Sequence, residues 1–506
     1  MRVGAVDLAI LLVYMAGVVG LGLWFSRGAR DMSEYVVGSR DVAWWLILFS
    51  IIATETSSVT FLSIPGFAWS RDLTWLQIVL GFLLGRFAVS AFLLPQYFRG
   101  SLYSAYEVLR QRFGGATQKT ASALFIVTRS LADGLRLFLT AIVFQEMTGI
   151  ALHWAVVAVG VTTIVYTYAG GLRAVVWTDF VQLVIYLAGA VVAFAVILHR
   201  LPGGWGQLVS LGAAGGKLRM LDLRLDWSEP YGLWAGLVGG VFITLGSHGV
   251  DQMMVQRYLS ARGLREARRA LNVSGLIIVA QFALFLLIGV GLWCFYRLHP
   301  PTVPFDRPDR VFARFILEEL PPGVVGLLLG AIFAAAMSTL SSSLNSCATV
   351  AATDLLPAVA PERQLRRVRL LTAVFGAVQI AVGIAGRWLT SSVVASVLGI
   401  AAFTTGIVLG VFFLGMMTRR VGEHAALAGL VAGLAGMTWI YFGTRLAWPW
   451  YALVGSLLTV SAGLVASWIV PASTPGSRPD APPSRTPPAA RLPGSPDPPS
   501  SRSAPS

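Results

Sequence analysis

The stretch SIIATETSSVTFLSIPGFAW, residues 50–69, is apolar at both ends and polar in its middle. Its centre holds Thr54, Glu55, Thr56, Ser57, Ser58 and Thr60, and Pro65-Gly66 follows. A continuous helix through hydrocarbon does not combine a carboxylate, a run of hydroxyls and a helix breaker, because buried charge and unpaired backbone are costly there. Two half-helices meeting at a break account for all of these features. Such a break is tolerated in a membrane only where the backbone is buried in protein or lines a cavity. Pro65-Gly66 predicts a further bend towards the outer end.

The rest of the chain sets this stretch in a bilayer. Of 506 residues, 56% are hydrophobic and 12% charged. Apolar runs of about 20 residues recur, the length that crosses a bilayer core, whereas membrane barrels show shorter alternating segments. The chain reads as an all-α polytopic membrane protein. About thirteen spans are expected, near 5–25, 44–69, 75–97, 119–147, 151–169, 174–198, 231–257, 272–296, 322–352, 367–387, 393–416, 424–442 and 450–470. The first is too long for the apolar part of a signal peptide and is read as a span.

The net charge of +14 does not indicate nucleic acid. Its Lys and Arg residues cluster in alternate loops: Arg27, Arg30 and Arg40, then YFRGSLYSAYEVLRQRFGG, RYLSARGLREARRA, PERQLRRVR and TRRVGEH. By the positive-inside rule these loops are cytoplasmic, the amino terminus is outside and the carboxyl terminus inside. Cys294 and Cys347 both lie in apolar runs and the five histidines are scattered, which argues against a disulfide framework or a metal cluster. From 471 the chain turns rich in Pro and Ser, a composition that buries no core and predicts a disordered cytoplasmic tail.

Five places put polar groups inside spans. Besides the opening stretch, AAAMSTLSSSLNS (334–346) carries Ser338, Ser341, Ser342 and Asn345 on one stripe. GGLRAVVWTDFVQ (170–182) sets Asp179 well inside a helix. TRSLADGLRLF (128–138) places Arg129, Asp133 and Arg136 on one face. ITLGSHGVDQMMVQRY (243–258) is interrupted by Gly246 and Gly249 and carries Ser247, His248, Asp251 and Gln252. The two interrupted spans are the second and the seventh, five apart. Equivalent breaks in two halves point to an inverted-repeat transporter with its site near the midplane. Freed carbonyls and hydroxyls, with little net charge, are hard oxygen ligands suited to an alkali cation.

GGLRAVVWTDFVQ resembles the signature of the sodium:solute symporter family, which includes sodium–glucose, sodium–proline, sodium–iodide and sodium–sialic acid transporters. AAAMSTLSSSLNS with the following ATDL resembles its sodium-site helix, and ATETSSVTFLSIPGFAW its broken first core helix. SAYEVLRQRFGG and DQMMVQRYLSAR resemble its cytoplasmic loops, and FTTGIVLGVFFLGMMTRR a late span. The resemblance covers about 1–440. It implies the leucine-transporter-type fold, with a 5+5 inverted repeat. Residues 1–43 would then be the leading helix and first cytoplasmic loop, 44–420 the transport core, 421–470 two additional helices and 471–506 the tail.

The resemblance also implies sites. The family's common sodium site falls on Ala53 and Thr56 and on Ala335, Ser338 and Thr339. Some sialic acid–type members bind a second sodium at positions matching Asp179, Ser338, Ser341 and Ser342, so the resemblance implies two sodium ions per cycle; the other reading of Asp179 is a structural or gating residue bonded to those serines. The solute would touch Glu55, Ser57, Ser58, Thr60, Trp75, Gln77, Arg129, Arg136, Thr244, His248 and Phe403. An arginine there would fork a carboxylate, unless Asp133 satisfies Arg129 and Glu55 satisfies Arg136. Glu55 argues against a simple monocarboxylate and leaves room for sugars, amino acids and other zwitterions.

The expected function is therefore a bacterial sodium-coupled symporter in the inner membrane. It would import a small organic solute (an organic anion, sugar acid, sugar or amino acid) by alternating access. Sodium, the solute and the lipid bilayer are the expected partners, with no nucleic acid and no obligate protein partner. No metal cluster or nucleophile–base constellation suggests an enzyme. A proton-coupled carrier using Glu55, Asp179 or His248 is the alternative. A transporter-like sensor is less favoured, since only the Pro-rich segment follows residue 470.

Overall fold

The computed structural model describes residues 4–26, 31–301, 303–305, 307–388 and 393–469. The Pro-rich tail expected to be disordered and the basic residues Arg27 and Arg30 lie outside the described residues. The described chain is all helical apart from one isolated bridge between Val42 and Ala261.

Among the described residues, eight helices are long and apolar enough to cross a membrane, and nine if the bent pair Trp44–Glu55 and Ser58–Ser70 counts as one. The four other expected spans have identifiable peculiarities. Gly115–Thr148 carries Arg129, Asp133 and Arg136. The expected seventh span is two short helices, ending at Gly249 and restarting at Gln252. The span near 393–416 falls in Val393–Met417, described apart from several side chains near its start. Two expected spans form one 49-residue run, Leu152–Arg200, divided by a non-helical turn at Gly171. A straight helix of that length would reach about 70 Å, over twice a bilayer core. Gly171 has φ 57° and packs so tightly that a Cβ would lie 2.5 Å from the Tyr35 carbonyl oxygen. Only glycine meets both conditions without strain.

The serine-rich helix Val324–Val350 is the axis of the bundle. Every residue from Leu328 to Val350 is buried. Its Ala, Ser and Gly side chains let neighbouring backbones approach closely, the usual solution for helices packed in lipid. Leu152–Arg200, Gly115–Thr148 and Ala5–Ser26 pack around it.

The loops gather at two ends. At one end, Val42 N donates to Ser260 O (3.0 Å), Arg40 Nη2 to Leu102 O (2.5 Å) and Arg112 Nη2 to Thr418 O (2.6 Å). At the other, Leu73 N donates to Arg219 O (3.0 Å) and Ala447 N to Trp227 O (2.9 Å). At Pro65-Gly66, where a bend is expected, Ser58–Ser70 runs as one helix with Pro65 inside. Gly66 instead admits the loop at Pro308, whose carbonyl oxygen would lie 2.5 Å from a Cβ.

Candidate functional site

The first break lies at Thr56-Ser57, where two half-helices meet at 62°. Thr56 N closes the last turn of Trp44–Glu55 on Ile52 O at 3.1 Å, and Phe61 N opens the next helix on Ser57 O at 3.0 Å. Helix geometry therefore releases the carbonyls of Ala53, Thr54, Glu55 and Thr56 from intrahelical bonding. The serine-rich helix lies beside them. Thr339 Oγ1 donates to Thr54 O (3.1 Å) and back to Ala335 O (3.3 Å). Thr56 Oγ1 accepts from Gln281 Nε2 at 2.6 Å. Ala53, Thr56, Ala335, Ser338 and Thr339 are all buried, and the Thr339 hydroxyl joins the two elements they come from.

Asp179 is fully buried one helix away. Its Oδ1 accepts from Ser338 Oγ (2.7 Å), and its Oδ2 from Ser50 Oγ (2.5 Å) and Thr54 Oγ1 (3.3 Å). The fourth partner is Arg257, which the sequence reading did not select. Its Nη2 reaches Asp179 Oδ2 at 3.0 Å and Thr54 Oγ1 at 2.5 Å. Ser341 and Ser342 turn their hydroxyls back to Ser338 O, at 3.1 and 2.8 Å. The sequence does hold a signal for Arg257: it follows Met253, Met254, Val255 and Gln256 and precedes Tyr258 and Leu259, a largely apolar setting for a charged residue.

Glu55 sits at the end of the first half-helix, and its carboxylate pairs with Arg86, also absent from the sequence reading. The arginine expected opposite Glu55, Arg136, pairs with Asp133 instead. Arg86 is wholly buried, on Leu76–Ala88. Its Nε donates to Ser274 Oγ (3.2 Å) and Nη1 to Phe82 O (3.2 Å). His248 Nε2, just before the second break, lies 3.3 Å from Arg86 Nη2 and 3.5 Å from Glu55 Oε2. Thr244 stands one turn earlier on the same helix and packs over Gly85, where a Cβ would be 2.5 Å from its own. Glu55, partly exposed, thus meets the buried Arg86 and His248 in one group that spans both interrupted elements, with buried Thr244 one turn from His248.

The second break is at Val250-Asp251, just after the glycines that announced it. Asp251 caps the following helix through Met253 N (2.9 Å) and pairs with Arg129. Arg129 Nε also lies 3.8 Å from Asp133. Arg129, Asp251, Tyr106, Thr128, Thr404 and Thr405 line a cavity of about 40 Å³. Ser58 Oγ is 2.8 Å from Thr140 Oγ1 on the Arg136 helix. A cavity of about 90 Å³ runs from Ser58 to Asp309 and Arg310. Ser57 caps its own helix, accepting from Thr60 N at 3.5 Å. Phe403 packs edge-on against Tyr441, ring centroids 6.3 Å apart.

Trp75 and Gln77 stand apart from that group. Trp75 belongs to an aromatic cluster with Phe67, Tyr231 and Trp448 at one end of the bundle. Gln77 donates to Tyr231 O (2.7 Å) and accepts from Asp222 N (3.1 Å), so both ends of its amide clasp the loop before Ala235. Lys217 Nζ fastens that loop to Trp69 O and Arg71 O at 2.8 and 2.9 Å. Hydrogen bonds from Arg224 hold the Asp222 carboxyl well below the usual carboxylate range. At the opposite end, a cavity of about 620 Å³ is lined by Glu107, Arg110, Lys119, Asp354 and Arg367 among others. Burial pushes the Glu107 carboxyl upward even though it accepts from two backbone amides.

The family model described as the sodium:solute symporter family matches residues 35–433. The sodium/sialic acid symporter NanT of Aliivibrio fischeri is 28% identical over 489 residues, covering 92% of this chain and 93% of the relative. The human sodium/iodide cotransporter is 30% identical over 463 residues, 88% of this chain and 70% of the relative. A substrate-bound, outward-open structure of a Na⁺-coupled sialic acid symporter superposes with a TM-score of 0.85 at 27% identity, covering 93% of this chain and 99% of that one. The nucleobase–cation symporter Mhp1 shares the fold, with a TM-score of 0.57 at 14% identity.

Proposed function

The chain belongs to the sodium:solute symporter family, and from that premise we propose that it imports a small organic solute by alternating access, with one sodium ion held at the first break. Sodium-coupled solute transport is the property of the family; the solute, the cycle and the residues are our reading. The ion would sit among the carbonyls of Ala53, Thr56 and Ala335 and the hydroxyls of Ser338 and Thr339. The observation that carries this is the 3.1 Å bond from Thr339 Oγ1 to Thr54 O. It brings a hydroxyl from the serine-rich helix onto a carbonyl freed by the break.

Sodium bridging the broken helix and the serine-rich helix would favour the state open to the outer side, where the solute enters. Sodium would then tighten solute binding, and by linkage the solute would tighten sodium equally. Rocking of one repeat against the other would open the inner side. In the proposed orientation, with the amino terminus outside, the loop clasped by Gln77 closes the outer end. The cavity at Glu107 and Arg367 would be the cytoplasmic vestibule.

The solute would bind between the breaks, against Glu55, Ser57, Ser58, Thr60, Thr244 and His248. Arg86, Arg129 and Arg136 each face an acidic partner, so this region approaches internal neutrality. That favours a sugar, a sugar acid carrying many hydroxyls or an amino acid over a simple monocarboxylate, and the relatives named for sialic acid fit the same range. Gln77 and Trp75 would act on the solute only through the outer loop.

Proteoliposomes provide the test. Uptake should require an inward sodium gradient, and choline in place of sodium at fixed pH should abolish it. Equal uptake driven by protons without sodium would overturn the reading. It would favour the proton-coupled alternative, for which His248 at 3.5 Å from Glu55 is the specific observation. A thermal-shift screen of sugars, amino acids and carboxylates, with and without sodium, should name the solute class.

A further inference from the structure

The stretch RGLREARR, residues 262–269, leads into the helix Leu264–Leu298 and holds four arginines and one glutamate. Two of the arginines are engaged. Arg262 Nε pairs with Asp41 at 2.7 Å, and Arg268 Nε donates to Ser90 O at 2.9 Å. Arg265 and Arg269 are exposed and one turn apart. Among the described residues neither has a carboxylate partner or a hydrogen-bond acceptor. Glu266 does not serve them, since its Oε2 is buried and unbonded. Arg269 is nevertheless held in place: its guanidinium lies 3.9 Å over the ring of Trp44. Stacking on an indole uses the face of the guanidinium and leaves its N–H edges free.

The surroundings belong to a membrane surface. Arg265, Arg269, Leu276 and Ala280 share one face of the helix by their spacing, and Leu276 is 58% exposed. The seven residues from Arg269 to Leu276 rise about 10 Å. With Leu276 in hydrocarbon, Arg269 stands at the depth of the headgroups, a band of about 5–8 Å on each side of the bilayer. Beside Trp44, Trp45 is 37% exposed and packs edge-on against Trp177 and Phe180 at 5.9 and 5.7 Å. Tryptophans gather in this way at the membrane–water boundary.

We propose that Arg265, Arg269 and Trp44 form a binding site for the headgroup phosphate of an anionic phospholipid, whose chains run down the face of Leu276. Charge complementarity selects an anionic lipid. Once the Arg262–Asp41 pair is set aside, three arginines face one glutamate, an excess of two positive charges. A zwitterionic lipid brings no net charge to offset them. The apolar continuation of the same face selects a lipid over a soluble phosphate, which has nothing to place against Leu276. Trp44 is also the first residue of the half-helix Trp44–Glu55, so the headgroup joins the start of that half-helix to Leu264–Leu298. In the proposed orientation the site lies in the cytoplasmic leaflet, which carries the anionic lipids.

The test needs neither sodium nor solute, so its failure leaves the transport reading untouched. The full chain is purified in mixed micelles of detergent and phosphatidylcholine, and thermal unfolding is followed as phosphatidylglycerol is added. Phosphatidylglycerol should raise the unfolding midpoint saturably, and further phosphatidylcholine should not. Arg265→Gln with Arg269→Gln should raise the phosphatidylglycerol needed for half the effect at least tenfold, at about fivefold per arginine. Trp44→Leu should raise it about two- to fivefold. Arg363→Gln with Arg366→Gln removes the same charge from another exposed stretch and should change it less than twofold. Equal losses in the two double variants would reduce the effect to general surface charge and overturn the site. Equal stabilisation by phosphatidylcholine, or by glycerol 3-phosphate, would overturn the anionic lipid as occupant. Both arginines are exposed, so their variants should fold; if Trp44→Leu does not, the two arginine pairs decide.

Discussion

Replacing Glu55 with glutamine strips Arg86 of its ion-pair partner. Arg86 is wholly buried, and the contacts left to it are Ser274 Oγ and Phe82 O, both at 3.2 Å, and His248 Nε2 at 3.3 Å. These are neutral partners or a group that gains nothing from a second cation. Breaking a buried pair by removing one member costs about 3–5 kcal/mol. Arg86→Gln leaves Glu55 with His248 alone at 3.5 Å, and a similar loss is expected. The double variant Glu55→Gln with Arg86→Gln removes both charges, so it should cost about 1–2 kcal/mol, the scale of imperfect packing and hydrogen bonding. The coupling energy from the cycle should therefore exceed about 3 kcal/mol. Thermal unfolding of the four purified proteins measures it. Additive losses in the double variant would refute the pairing. A Glu55→Gln variant of full stability that no longer responds to solute would make Glu55 a solute ligand instead.

Four further outcomes follow from the geometry. Thr339→Ala removes the hydroxyl bonded to Thr54 O and should raise the sodium for half-maximal stabilisation roughly tenfold, the equivalent of about 1.4 kcal/mol for one hydrogen-bonding group; an unchanged titration would remove Thr339 from the site. Gly171→Ala combines a φ of 57° with a Cβ 2.5 Å from Tyr35 O, so it should lose at least about 1–3 kcal/mol and much of the folded yield, read by gel-filtration recovery. Gln77→Ala should free the loop that Tyr231 and Asp222 anchor, seen as faster proteolysis between Lys217 and Tyr231. That same loop should loosen in acid. The Asp222 carboxyl is held below its ordinary value by Arg224, so its contribution is complete above about pH 4 and lost as pH falls through the lowered value; loop proteolysis that does not change in that range would refute it.

How much of this was legible follows from the range of each interaction. Arg136 and Asp133 are three residues apart on one helix, and their shared face followed from spacing alone. The partners of Glu55 and Arg129 lie 31 and 122 residues away. Helical periodicity carries no information about the register between elements, so Glu55 was set against the wrong arginine. Trp75 and Gln77 have side chains suited to a solute, yet their backbone neighbours in the folded chain are loop residues. Arg257 was missed because the stretch RYLSARGLREARRA after the break reads as a basic loop, although its first arginine lies on a buried helix.

The sequence by itself determined that two of the membrane spans are interrupted and that such breaks free backbone carbonyls. Polar and helix-breaking residues inside apolar runs have few solutions in hydrocarbon, and those solutions are local. The tertiary structure decided which charges neutralise which. The Asp179 pocket is the clearest instance. Its serines and carboxylate can be read along the chain as a cation site, but the guanidinium that meets them arrives from a helix 78 residues further on, and only packing brings it there.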